Sequence, residues 1–266
     1  MEKLKIMKVA VLMGGMSSES EVSLKSGAAA LAALGRLGIE AVGIDAGRDV
    51  VERMRACGAG LAFIALHGRY GEDGCVQGAP LRAGEDVARL TLGAPCVVKP
   101  ANGGSSIGVT ICMTQDEIAP AVRKAFEYDG EVIVERFIEG SLITVGIIGA
   151  RVLPPIEIET TGGFYDFAHK YTAGRTRYHC PARLDAKIAA QAQAMTMAMS
   201  RALGCRGMSR SELIVDRAGK PWFIELNTIP GMTELSLLPM GARQAGMSFD
   251  EMTLAILREA VGDADA

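Results

Sequence analysis

"CVVKPANGGSSIGV" runs from Cys96 to Val109. An apolar run ends in a lysine, opens into small and hydroxyl-bearing residues, and resumes as a second apolar run. The local reading is two strands joined by a flexible loop. Lys99 is the only charge in the stretch. Gly103, Gly104, Ser105, Ser106 and Gly108 place backbone N–H groups where they can close on an anion, with phosphate the first candidate. The pattern is not a P-loop, because no GxxxxGK[ST] occurs and the lysine precedes the glycines. It is not the dinucleotide fingerprint of the Rossmann fold either.

Upstream of this loop the chain alternates. Val9 to Met13 reads as a buried strand, broken by Gly14-Gly15. "SSESEVSLKSGAAALAALGRLG" opens with Ser/Glu capping chemistry and continues with apolar residues at helical spacing. "GIEAVGID" reads as a strand, "VVERMRACG" as a short helix and "LAFIALHG" as a third strand. Such β-α-β-α-β order predicts a parallel sheet, with ligands past the carboxyl ends of its strands. Two loops lie there: Gly14–Glu21, and "HGRYGEDG", which groups His67, Arg69, Glu72 and Asp73.

Downstream, "CVVKP", "IGVTICM" and "EVIVERF" read as strands, with "TQDEIAPAVRKAFEYDG" as a helix between the last two. "LITVGIIGARVLPPIEIE" predicts a hairpin turning at Gly149-Ala150. "TTGGFYDFAHKYTAGRTRYHCPARL" has no clear period, and loops of this length are often lids. A helix is predicted from Asp185 to Leu203, where the methionines of "QAMTMAM" serve as core filler. "GMSRSELIVD" and "PWFIELN" form a second hairpin through Arg217–Lys220, and two helices close the chain. On that hairpin Glu225 and Asn227 are two apart and leave the same face, with Glu212 nearly opposite. Two carboxylates and an amide oxygen make an oxygen-only site suited to Mg2+ shared with nucleotide phosphates. The bland alternative is a solvated sheet face.

The 266 residues carry a net charge of −3 and are 49% hydrophobic, which permits real cores and gives no electrostatic reason to expect nucleic acid. Six cysteines are scattered without CxxC spacing, so zinc is not expected. The basic-then-apolar start runs quickly into Gly-Gly, which favours a strand over a signal peptide. No apolar run approaches the roughly 20 residues of a membrane span. A cytoplasmic protein without membrane partners is the expectation.

Five motifs then carry a family likeness. "VLMGGMSSESEVSLKSG", "IALHGRYGEDGCVQG", "VVKPANGGSSIGV", "GGFYDFAHKY" and "FIELNTIPGMTELSLLPMGARQAGMSF" occur in the order seen in D-alanine–D-alanine ligases, which are ATP-grasp enzymes. The chain resembles that family over nearly its whole length. The resemblance implies an α/β chain in three parts. A Rossmann-like parallel-sheet domain covers 1–80, a truncated central ATP-grasp lobe 81–140, and a C-terminal ATP-grasp lobe with metals and lid 141–266. It implies that ATP phosphorylates one D-alanine, that the amine of a second attacks the acyl phosphate, and that the dipeptide serves peptidoglycan synthesis.

By the same resemblance Lys99, Ser105, Ser106 and Lys170 would meet the ATP phosphates, and the hinge Glu135, Arg136, Phe137 and Ile138 the adenine. Glu212, Glu225 and Asn227 would hold two Mg2+ ions, with Mn2+ as an alternative. Arg210 and the N–H of Gly231 would stabilise the oxyanion. Glu19 would receive the ammonium of the first D-alanine, with His67 near it, and Ser236 and Leu237 the carboxylate of the second. Tyr171 would tie the lid down against Glu19 and Ser105, and it marks the dipeptide-forming type. A homodimer is also implied.

The chain departs from the family at three places. Roughly fifty residues that the family carries between "DGCVQG" and "APLRAGEDV" are absent, including an adenine-side lysine. The acidic residue expected at the ribose hydroxyls is Leu142, which cannot accept a hydrogen bond. A usual metal-binding Asp is Glu212. Two alternatives therefore stand beside the ligase: an ATP-grasp enzyme joining other small amino or hydroxy acids, and an impaired nucleotide-binding relic. The ligase reading requires Lys99 and the Glu212–Glu225 hairpin to grip one triphosphate from two sides of a shared cleft.

Overall fold

The computed structural model describes residues 4, 7–15, 19–47, 49–67, 79–82, 92–102, 106–160 and 176–262. The expectations placed on Ser105, Lys170 and Tyr171, and on Arg69, Glu72 and Asp73, lie outside these residues.

The N-terminal alternation builds a parallel sheet. Strands β1 (Val9–Met13), β2 (Ala41–Asp45) and β3 (Leu61–Ile64) lie in the order β2-β1-β3. Helices α1 (Ser20–Arg36) and α2 (Val50–Ala56) make the crossovers. Every residue of β1 except Met13 is buried, as expected of a central strand covered on both faces. Of the expected Ser/Glu capping chemistry, Glu19 is the N-cap of α1 and makes no side-chain cap hydrogen bond, while Ser17 and Ser18 lie outside the described residues. The buried stripe of α1 is Ser23, Ser26, Gly27, Ala30, Ala33 and Leu34, at helical spacing but with two serines in it.

The second sheet is antiparallel, in the order β4-β7-β5-β6. Its strands are β4 (Ala79–Arg82), β5 (Cys96–Pro100), β6 (Thr110–Cys112) and β7 (Glu131–Arg136). A 3-10 turn, Gln115–Glu117, leads into α3 (Ile118–Ala125) through a capping box of Thr114 and Glu117. One face of this sheet is closed by α3: Cys96, Val98, Cys112, Val132 and Val134 pack with Ile118, Ala121, Val122 and Ala125. Cys96 and Cys112 are directly opposed across β5 and β6. Burial pushes the Cys112 thiol up to about 11, so the pair acts as apolar filler. Period-2 alternation turns Val97 and Lys99 of β5 to the other face.

The third sheet runs β11-β10-β8-β12-β13, with β9 paired to β8. The strands are β8 (Gly140–Ile148), β9 (Arg151–Val152), β10 (Ile156–Thr160), β11 (Thr176–His179), β12 (Met208–Asp216) and β13 (Pro221–Asn227). The predicted hairpins at Gly149-Ala150 and Arg217–Lys220 are both present. The stretch read as an aperiodic loop ends in a real strand, because β11 pairs antiparallel with β10. Helix α4 (Ala186–Ala202) covers one face, through Ala192 against Ile143, Val145, Leu213 and Val215. Its buried stripe is Ala192, Thr196 and Ser200, not the methionines, of which Met195 packs only partly against the cluster. Small residues let the helix axis approach the sheet.

Helices α5 (Leu237–Gln244) and α6 (Phe249–Val261) close the chain against the N-terminal lobe. The largest core joins both ends of the sequence: Val9, Val11, Leu34 and Phe63 pack with Ile148, Leu153, Met232, Leu238, Met252 and Leu257. Gly146 belongs to this junction, since a Cβ there would sit 2.6 Å from Leu238 Cδ1. Among the described residues, no helix is long and apolar enough to cross a membrane.

Candidate functional site

The register of β12 on its two neighbours builds the site. Glu212 is directly opposed to Glu225 on β13 and to Thr144 on β8. Arg210 is opposed to Asn227 and to Gly146. Directly opposed residues share a face, so Arg210, Glu212, Glu225, Asn227 and Thr144 all project from the side that α4 does not cover. The register shifts between Glu212 and Leu213, with Ile224 as the extra residue. This bulge turns Trp222 to the same side as Glu225, which simple alternation would forbid.

Bonds within this group fix its geometry. Arg210 Nη1 donates to Glu212 Oε1 at 2.7 Å and to Thr144 Oγ1 at 3.0 Å. Thr144 Oγ1 in turn donates to the carbonyl of Ser211 at 2.9 Å. The hydroxyl proton is thereby committed, and its oxygen faces Arg210 as an acceptor only. Thr144 is 1% exposed and Glu212 7%, so this arrangement works in a low-dielectric setting where charge-assisted bonds are strong. Sequence reasoning missed Thr144. The signal available was a lone threonine in the apolar run "LITVGII".

Two carboxylates and an amide carbonyl on one face fit a hard cation such as Mg2+. Asn227 Oδ1 accepts the Ile229 N–H at 2.7 Å, which orients the amide and leaves its second lone pair for a metal. Among the described residues no third His, Cys, Asp or Glu joins Glu212 and Glu225.

The central sheet supplies a second group. Lys99 Nζ pairs with Glu135 Oε2 at 2.8 Å, and both side chains are 16% exposed. Lys99 and Glu135 are thus held together on the face opposite α3. Arg136 and Phe137 line a cavity of about 300 Å3 with Leu92, Gly93, Ala94 and Pro95. Ile138 follows them in the connection to β8. At the loop, Ser106 has φ 59°, which is uncommon outside glycine and concentrates at functional turns. Gly108 has φ 77°, and a Cβ on it would lie 2.8 Å from both Pro100 Cγ and Tyr128 Cδ2. The base of the loop is anchored by Asp129, whose Oδ2 accepts from Asn102 N at 2.6 Å and Asn102 Nδ2 at 2.9 Å. Burial alone would raise the Asp129 carboxyl, but these bonds and those from Glu131 and Gly130 outweigh it and hold the group below its ordinary value. Sequence reasoning missed Asp129 as well.

The third group lies at the junction of the first and last lobes. Glu19 stands at the start of α1, past the carboxyl end of β1. His67 follows β3 and is 6% exposed. Its Nε2 lies 3.1 Å from Ser26 Oγ, which also accepts the Met232 N–H at 3.1 Å. Gly231 precedes Met232, and a Cβ on it would meet Ser236 Oγ at 2.8 Å. Ser236 is the N-cap of α5, but its oxygen accepts the Thr233 N–H at 3.0 Å and lies 2.7 Å from Thr233 Oγ1. Ser236 thus makes no side-chain cap hydrogen bond to α5.

Comparison with known proteins gives a consistent result. A family model described as D-ala D-ala ligase C-terminus matches residues 83–258. A D-alanine–D-alanine ligase of Citrifermentans bemidjiense is 42% identical, with 97% of this chain and 98% of that protein covered. That of Syntrophotalea carbinolica is 40% identical, with coverage of 96% and 97%. The latter alignment runs over 296 positions, more than the 266 residues of the chain, so that relative carries residues this chain lacks. Among solved structures, a D-alanine–D-alanine ligase from Bacillus anthracis superposes with a TM-score of 0.84 at 30% identity, covering 96% of this chain and 98% of that one. The same enzyme complexed with ATP gives 0.82 at 28% identity, with the same coverage. A VanG D-Ala:D-Ser ligase from Enterococcus faecalis gives 0.80 at 25% identity, covering 97% of this chain and 99% of that one.

Proposed function

Since this chain belongs to the D-alanine–D-alanine ligase family, we infer that it joins two D-alanines at the expense of ATP, through an acyl phosphate, for peptidoglycan precursor synthesis. The observation that carries the reading is the single sheet face bearing Arg210, Glu212, Glu225 and Asn227 beside the Gly231 loop.

The residue roles follow from charge and position. Lys99 and the Ser105–Ser106 loop cradle the phosphates, joined by Lys170, and the Glu135–Ile138 hinge receives the adenine. Glu212, Glu225 and Asn227 would hold Mg2+ ions, which when bound neutralise the transferring phosphoryl group. Glu19 takes the ammonium of the first D-alanine and leaves its carboxylate to attack the γ-phosphorus. ADP departs and an acyl phosphate remains. The amine of the second D-alanine then attacks the acyl carbon, while its carboxylate sits on the N-terminus of α5 at Ser236 and Leu237. Charge gathers on the former carbonyl oxygen. Arg210, already clamped by Glu212 and Thr144, and the Gly231 N–H meet that oxyanion without reorganising. Inorganic phosphate leaves, the nitrogen gives up the proton that the departing phosphate takes up, and the peptide bond is complete. Tyr171 closes the lid and keeps water from the acyl phosphate.

The residues missing relative to the family fall between Gln77 and Leu81 in this reading. The intact mass of the natural protein separates a true deletion from a sequence that lacks a stretch of the chain. A homodimer, a cytoplasmic location and the three-part division at 80 and 140 belong to the same proposal.

The test is ADP release that needs both Mg2+ and D-alanine, with D-alanyl-D-alanine as product. ATP binding with D-alanine present and no ADP at any concentration would establish the impaired relic instead. A panel of D-serine and D-lactate acceptors decides between the dipeptide-forming type and ligases of other small acids, the D-Ala:D-Ser relative giving the panel its point.

A further inference from the structure

The buried stripe of α1 carries two serines where a helix of this kind places apolar residues. Both are 0% exposed, and both reach out of the helix to the site rather than back to their own backbone. Ser23 Oγ donates to the carbonyl of Ala65 at 2.7 Å, two residues before His67. Ser26 Oγ lies between His67 Nε2 and the backbone N–H of Met232, 3.1 Å from each. The N–H of Met232 can only donate, so the Ser26 oxygen accepts there. The bond to His67 runs in either direction with the ring tautomer, and in both cases the same oxygen is the shared node.

This node joins segments far apart in the chain. Met232 is 206 residues from Ser26 and directly follows Gly231. A peptide unit is planar, so fixing the N–H of Met232 fixes the plane that contains the Gly231 carbonyl and restricts the turn that aims the Gly231 N–H. Met232 is itself 0% exposed, so its N–H has no water to replace a lost partner.

We propose that Ser26 is a positioning residue of the ligation site: its one hydroxyl sets the Gly231–Met232 turn against His67 and so aims the oxyanion donor at the first substrate. The proposal rests on the ligase reading above. Ser26 acts through Gly231 and His67 and touches no reacting atom.

The test is Ser26→Ala in the full-length protein, with two readouts. The first is a steady-state split per folded molecule. The expected result is a fall in kcat of about tenfold or more, with KM for ATP changed by less than about twofold, because the oxyanion donor acts in the transition state. A merely structural serine would lower the folded fraction and leave kcat per folded molecule unchanged. The second readout is amide hydrogen exchange in the substrate-free protein. The Met232 amide is expected to exchange about tenfold faster in the variant, with amides in the middle of α6 unchanged. Wild-type kcat in Ser26→Ala, or an equally protected Met232 amide, overturns the proposal. If the wild-type protein made no ADP with D-alanine, the ligase reading would fail first, and the exchange measurement would still decide whether Ser26 holds the turn.

Discussion

Lys99 and Glu135 form a 2.8 Å ion pair on the face of the central sheet that α3 leaves uncovered. They sit on neighbouring strands, since Glu135 is paired in register with Val97, two residues before Lys99. The pair holds a flexible cation near one geometry, and in the proposed ATP site this would lower the entropy lost on binding.

Removing one partner exposes what the pair does. Glu135→Ala leaves a mostly buried ammonium alone and should cost about 2–3 kcal/mol of stability. Lys99→Met should raise KM for ATP more than about tenfold while KM for D-alanine moves little. Urea unfolding and steady-state kinetics check the two effects separately.

Glu212 and Glu225 face each other across the ladder. Glu225→Gln keeps the shape and removes a charge, so ADP release at fixed Mg2+ should fall about 100-fold. Raising Mg2+ should recover part of the loss. Activity that is independent of both Mg2+ and the substitution would remove the hairpin from the metal site.

Thr144→Val swaps a hydroxyl for a methyl at nearly constant volume. It takes an acceptor from Arg210 and a donor from the Ser211 carbonyl. Stability should drop by about 1–2 kcal/mol and kcat by about tenfold, with KM for ATP near wild type. Equal kcat in both proteins would show that Arg210 does not need this support.

Leu142 lies on the site face, paired in register with Ile214 on one side and Ile158 on the other. No acceptor for ribose hydroxyls is present at these three positions. The chain should therefore use 2′-deoxy-ATP within about threefold of ATP, and Leu142→Glu should favour ATP by about tenfold. The ratio of kcat/KM for the two nucleotides is the measurement.

Asp129 supplies the pH dependence. Its carboxyl lies below the ordinary value, because the Asn102, Glu131 and Gly130 bonds outweigh burial. A depressed carboxylate stabilises the folded state fully above its unfolded value of about 3.9, and that contribution is lost as pH falls through the folded value. Wild-type stability should decline below about pH 4. Asp129→Asn should start lower at neutral pH and decline less steeply over the same window. Urea midpoints between pH 2 and 7 settle the comparison.

Much of this was legible from local pattern. The parallel order of β1, β2 and β3, the Arg217–Lys220 hairpin and the Glu212–Glu225 opposition all follow from alternation and turn residues. Other features have no local signal. The bulge at Ile224 depends on the fit of β13 to β12, so Trp222 on the same side as Glu225 could not be foreseen. The buried face of α4 follows from how closely the helix approaches the sheet, which methionine spacing does not encode. Ser26 and Met232 meet only because the last helices fold back onto the first lobe. Asp129 looks like an ordinary turn residue until Asn102 is beside it.

The core that joins the two ends of the sequence governs how the molecule comes apart. The N-terminal sheet and the closing helices share one set of apolar contacts, whereas the central sheet and α3 bury a separate one. Packing that links the N-terminal sheet to the closing helices therefore has no counterpart in the apolar cluster of the central sheet. The two ends of the sequence are thus tied into one apolar core, and a substitution at Val11 or Leu257 is felt at both.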